Sequence, residues 1–133
     1  MFMSNGYGSA MGGAKLRYQT VDVAARVEGA TPHRLVGILF EELMKALEIM
    51  AAAQRASNRV KAIDKQARAS NILLALETSL DFRNGGEIAV NLSKVYRECR
   101  RLVLAAGRDH KPELIDQARS HLEGIVEAWE QIG

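Results

Sequence analysis

The sequence predicts an all-α protein, an antiparallel up-down-up-down four-helix bundle behind a flexible N-terminal arm. Three observations carry that expectation. Apolar residues recur every three or four positions through most of the chain, only two prolines interrupt it, and the breaks between periodic segments are short. At 133 residues the chain can build one full core but not two comfortable ones. Its 47% apolar and 26% charged residues are ordinary for a globular domain.

In chain order, four of the first thirteen residues are Gly and three of the five Met lie there too. Such a stretch buries little and loses much entropy if ordered, so residues 1–17 read as a disordered arm and 18–133 as the folded domain. From Tyr18 to Gly29, Val21, Val23 and Val27 alternate among polar residues, which fits a strap that is either extended or weakly helical. Thr31-Pro32 is a helix start: the Thr hydroxyl can accept from a first-turn amide, and Pro gives up a donor that had no partner. Leu35, Leu39, Leu43, Ala46, Met50 and Ala53 then mark a first helix to about Ser57, with Val36, Phe40 and Leu47 widening its stripe.

The second helix, about Val60 to Phe82, carries two apolar faces on a wheel of about 100° per residue. One holds Ala69, Ile72, Leu73, Leu76 and Leu80; the other holds Val60, Ile63, Ala67 and Leu74. That is more apolar surface than one seam requires. Arg83 suits the helix's last turn, Asn84 and Gly85 can take a left-handed cap, and Glu87 suits the positive start of the next helix, so an αα-hairpin is expected at the glycines. Ile88, Leu92, Val95, Cys99, Leu102 and Ala106 form the seam of a third helix, which a short connection at residues 107–109 ends. Ile115, Ala118, Leu122, Ile125, Trp129 and Ile132 form that of a fourth, after Pro112.

Composition excludes several function classes. Eighteen Lys and Arg against sixteen Asp and Glu, without aromatic residues among the basic positions 55–68, give nucleic acid no stacking platform. No apolar run approaches the roughly 20 residues of a membrane span, and residues 1–15 lack the apolar block of a secretory signal, so neither membrane insertion nor secretion is expected. The single cysteine, Cys99, permits neither an internal disulfide nor a cysteine metal cage, and on the third seam it suits core packing better than catalysis. A reducing, cytoplasmic setting fits. No Glu precedes a His by three positions, His33, His110 and His121 stand apart, and Gly85-Gly86 lacks the frame of a phosphate loop, so no metal, cofactor or catalytic set is expected. One alternative of enzymatic type is a histidine phosphotransfer bundle using His33, with Gly37 one turn on. Val36 stands where a cation would steady the phosphoryl group. A generic helical adaptor is the other alternative.

The stretch LDFRNGGEIAVNLSKVY, residues 80–96, resembles the signature of the flagellar secretion chaperone family (FliS): Leu-Asp, then Gly-Gly-Glu-Ile-Ala, then Asn-Leu and Tyr at these spacings. TPHRLVGILFEELMKAL, residues 31–47, resembles the family's Ser/Thr-Pro opening and first helix, and EAWEQ at 127–131 its close. The chain departs from the family at Leu39-Phe40-Glu41-Glu42, where members often read Leu-Tyr-Asp-Gly. The resemblance spans about Tyr18 to Ile132. It implies a non-enzymatic chaperone of type III flagellar export, which holds the disordered C-terminal segment of flagellin, prevents premature polymerisation and presents it to the export gate.

The surplus stripe suits capture of an amphipathic client helix in a groove. Ile63, Ala67 and Leu74 are the candidate wall, contact with a third bundle helix being the alternative. Asn91 is a candidate for hydrogen-bonding client backbone or, equally, for bonding water. Tyr96 is either a client contact or a half-buried packing residue, and the resemblance implies for Tyr18 a lid that client displaces.

Overall fold

The computed structural model describes residues 26–132; the arm expected over residues 1–17, and Tyr18 after it, lie outside the described residues. The chain parts into two units, Met1–Ile38 and Leu39–Gly133. In the first, Gly29 takes φ 75° in a turn closed by Ala30 N–H donating to Val27 O at 3.0 Å. Thr31 Oγ1 then accepts from Arg34 N–H at 3.1 Å and Pro32 opens α1 (Pro32–Arg55), as its sequence directs.

The second unit is a four-helix bundle made by the rest of α1 with α2 (Arg59–Thr78), α3 (Phe82–Asp109) and α4 (Pro112–Gln131). Each connection is two or three residues, which forces neighbours to run antiparallel. At the first corner Ser57 adopts φ 56° and Asn58 Oδ1 accepts from Lys61 N–H at 3.2 Å, capping α2. At the last, His110 takes the left-handed conformation, φ 55°, and Pro112 starts α4. Cross-links between helices fix the up-down-up-down order. Gln54 near the end of α1 donates to Ala106 O near the end of α3 at 2.9 Å, while Phe40 meets Trp129 edge to face at the opposite end, ring centroids 6.1 Å apart.

The core is drawn from all four helices: Leu43, Leu47 and Met50 of α1, Leu73 and Leu76 of α2, Leu102 and Val103 of α3, Ile115 and Leu122 of α4 are all fully buried. Each such side chain contributes roughly 1.5–3 kcal/mol of transfer free energy, offsetting the entropy of ordering the helices.

The α2–α3 junction differs from the hairpin that the glycines suggest. α2 ends at Thr78, Leu80 is half-buried outside any helix, and α3 starts before the glycines because Asp81 caps it, accepting from Arg83 N–H and Asn84 N–H, both at 3.1 Å. Gly86, at φ 51° and ψ −127°, is then a break inside α3. A side chain there would find open space, so it is the backbone conformation alone that demands glycine. Ile88, expected in the seam, is 71% exposed in the first turn after the break, while Ala89 and Tyr96, on the adjacent line of the wheel, are buried. Gly107, expected in a connection, lies inside α3, where a Cβ would overlap the side-chain amide of Gln66. A larger residue here would have to displace the end of the Gln66 side chain.

Candidate functional site: an apolar groove along α2 and α3

α2 faces its neighbours in two directions. Arg68 reaches Glu42 of α1 at 2.9 Å, and Glu77 takes Arg97 at 2.6 Å and Arg100 at 3.3 Å of α3. With Ala69, Leu73 and Leu76 pointing inward, the remaining arc of α2 is turned away from the bundle. Val60 is 81%, Ile63 62% and Leu74 47% exposed, and Ala67 between them is exposed too. On the helical wheel this arc lies next to the Gln66 and Glu77 positions, on the α3 side of α2.

α3 supplies the other wall. Leu104, 46% exposed, stands one turn before Arg108, and Ser93, Arg100 and Gly107 mark the side of α3 that meets α2. At one end the groove deepens into a hollow of about 450 Å³ lined by Gln54, Arg59, Ile63, Gln66, Arg108 and His110 among others. Gln54 Nε2 donates to Ala106 O, and its Oε1 is buried without a hydrogen-bond partner. Ser57 and His110 both line the hollow without a hydrogen bond to each other; along α2 the apolar stripe from Val60 to Leu74 runs about 21 Å at about 1.5 Å per residue.

The sequence-predicted positions divide. Ile63, Ala67 and Leu74 are brought together on the outer arc of α2. Asn91 is exposed but sits on the flank of α3 that leads to Glu98 and α4, outside this groove. Tyr96 is 3% exposed, and burial, with a smaller contribution from Cys99, pushes its phenol up to about 12. Leu104 was not singled out by periodicity, although its spacing from Arg97, Arg101 and Arg108 marks a shared outer strip of α3.

The other candidate groups stand elsewhere. Cys99 is fully buried and its Sγ–H donates to Ala118 O at 3.6 Å; burial, then the Glu98 charge, pushes the thiol up to about 12, so it remains a thiol at neutral pH. His33 is half-buried in the first turn of α1, whereas His110 and His121 are exposed on the α3–α4 corner and on α4. Among the described residues no three His, Cys, Asp or Glu gather as metal ligands, and no helix is long and apolar enough to cross a membrane.

The described residues thus form a four-helix scaffold that leaves an apolar stripe of α2 uncovered. The family model "Flagellar protein FliS" matches residues 14–133, and the chain belongs to that family. It is 34% identical to the flagellar secretion chaperone FliS of Salmonella typhimurium over 86% of each chain. It is also 30% identical to the flagellar secretion chaperone FliSB of Pseudomonas aeruginosa, over 90% of this chain and 94% of that one. With the flagellar secretion chaperone FliS of Vibrio cholerae it shares 27% identity over 92% and 90% of the two chains. All three relatives carry the name of flagellar secretion chaperone.

Proposed function

We propose that the chain acts as a cytoplasmic chaperone of flagellar export, holding the C-terminal segment of flagellin as an amphipathic helix in the α2–α3 groove. The observation that carries this reading is the uncovered stripe Val60, Ile63, Ala67 and Leu74 beside Leu104, in a chain whose relatives are named flagellar secretion chaperones. Exposed aliphatic side chains in a row are costly in water, and their burial against a client's apolar face recovers the transfer free energy. Ordering a disordered client costs about 2–5 kcal/mol, so contact must extend over several turns, which the length of α2 permits. Holding the segment in this way keeps it from pairing with other flagellin molecules until the export gate receives it.

Titrating the protein with a peptide of the flagellin C-terminal segment tests the reading. Saturable heat at micromolar concentration, accompanied by a gain in helicity beyond the sum of the components, is expected. A flat titration with the bundle folded would refute it.

A further inference from the structure

The overall charge of +2 conceals a marked division between helices. α2 and α3 together carry ten Lys and Arg against five Asp and Glu, whereas α4 carries one Arg against five Asp and Glu. The excess is organised. Val90, Lys94, Arg97, Arg101, Leu104 and Arg108 alternate spacings of four and three along α3, and all six are exposed, so they form one strip. It runs beside the groove: Arg108 lines the same hollow as Ile63, and Arg97 is tied across to Glu77 of α2.

Compensation within the chain is partial. Arg97 is held by the mostly buried Glu77 at 2.6 Å; Arg101 bonds Glu98 and Arg108 bonds Asp109, each through two nitrogens but at the surface, where solvent leaves such cations open to a partner; Lys94 makes no ion pair among the described residues. The groove therefore has an apolar floor and wall on α2 and a cationic rim on α3. The acidic α4 lies on the other side of α3 and repels the partner that this rim attracts.

From this juxtaposition we infer that the groove selects an amphipathic helix whose flank on the α3 side is acidic, the rim fixing which way the guest is rolled about its axis. The inference rests on the chaperone reading and deepens it, because an apolar stripe alone accepts any greasy helix in any rotation, whereas a charged edge discriminates. A nucleic acid is a poorer occupant: the strip has no aromatic side chain for stacking, and aliphatic residues fill half of the groove.

Two synthetic helices of about 20 residues, identical on their leucine face, one flanked by Glu and the other by Lys, test it against the full chain, alongside the flagellin segment and a single-stranded oligonucleotide. At low salt the Glu-flanked peptide is expected to bind at least about tenfold more tightly than the Lys-flanked one. The gap should narrow at about 0.5 M NaCl, where charges are screened within a few ångströms. In the triple variant Lys94→Glu, Arg101→Glu, Arg108→Glu, with helicity unchanged, the preference should invert. Equal binding of the two peptides, binding of neither, a preference the triple variant does not alter, or tighter binding of the oligonucleotide would each overturn the inference. If flagellin binds while the peptides bind equally, only the rim's role fails; if the Glu-flanked peptide binds and flagellin does not, only the flagellin assignment fails.

Discussion

Glu42 shows how a single residue is accommodated against the trend of its surroundings. It is buried on α1, yet Arg68 of α2 donates to it at 2.9 Å and Lys45 lies 3.4 Å away. Burial by itself would raise the carboxyl's pKa; the Arg68 hydrogen bond and the Lys45 charge outweigh it and bring the value below 4.5. A depressed carboxyl contributes stability that is present above its unfolded pKa and lost as the pH falls from 4.5 through the folded value. Arg68→Met should therefore destabilise the bundle by about 1 kcal/mol, less than a fully buried pair would because the Arg68 head is half in water. Adding Glu42→Gln should return much of the loss, and urea midpoints at neutral pH measure both. The hydrogen bond was not legible beforehand: Glu42 reads in sequence only as a departure from the family's usual glycine, and nothing local shows that a cation 26 residues on comes to meet it. Gly86 misled for a related reason. Two glycines after Asn84 look like a helix stop, whereas Asp81 had already started the next helix.

At the scale of the helix, α2 places adjacent residues in opposite environments. Leu73 is fully buried and Leu74 is 47% exposed. Leu73→Ala should cost about 2–5 kcal/mol by removing transfer free energy and leaving a cavity. Leu74→Ala should cost under about 1 kcal/mol, and Leu74→Glu should abolish client binding with the melting temperature near that of the parent. A large loss of stability at Leu74 would mean that its face is packed after all. The two-stripe pattern of α2 was readable because a regular helix preserves the wheel over 20 residues. It left open whether the second stripe is covered by another helix, since periodicity reports what is apolar and not what lies opposite. On α3 the same method misplaced Ile88 for that same reason: it stays in line with Leu92, Val95 and Cys99 on the wheel, yet the first turn after Gly86 leaves it 71% exposed.

For the whole molecule, the centre of the bundle holds two weak acids in neutral form. Burial raises the Tyr96 phenol and the Cys99 thiol to about 12 each. Both are acids whose folded values lie above the unfolded ones, so their contribution is complete below an unfolded value of 9.0 for the thiol and 10.0 for the phenol. It is lost as the pH climbs toward the folded values. The urea midpoint should fall steadily above about pH 9, and Cys99→Ala should remove part of that decline; a midpoint indifferent to alkali would contradict the burial. The bundle class itself was plain from periodicity and short connections, because both are local properties summed along the chain. The charge division between α2–α3 and α4 is countable along the chain as well, but that the α3 cations run beside the uncovered stripe of α2 was not legible, because it depends on which faces of the two helices meet.

If a client lies on the outer stripe of α2, the buried Cys99 makes a direct test possible, since it leaves a new surface thiol to be labelled alone. A photo-cross-linker attached through Ala67→Cys should capture the flagellin C-terminal segment in high yield, and the same probe attached through Gln117→Cys on the exposed face of α4 should capture little. Equal capture from both positions, or capture from α4 alone, would contradict the account.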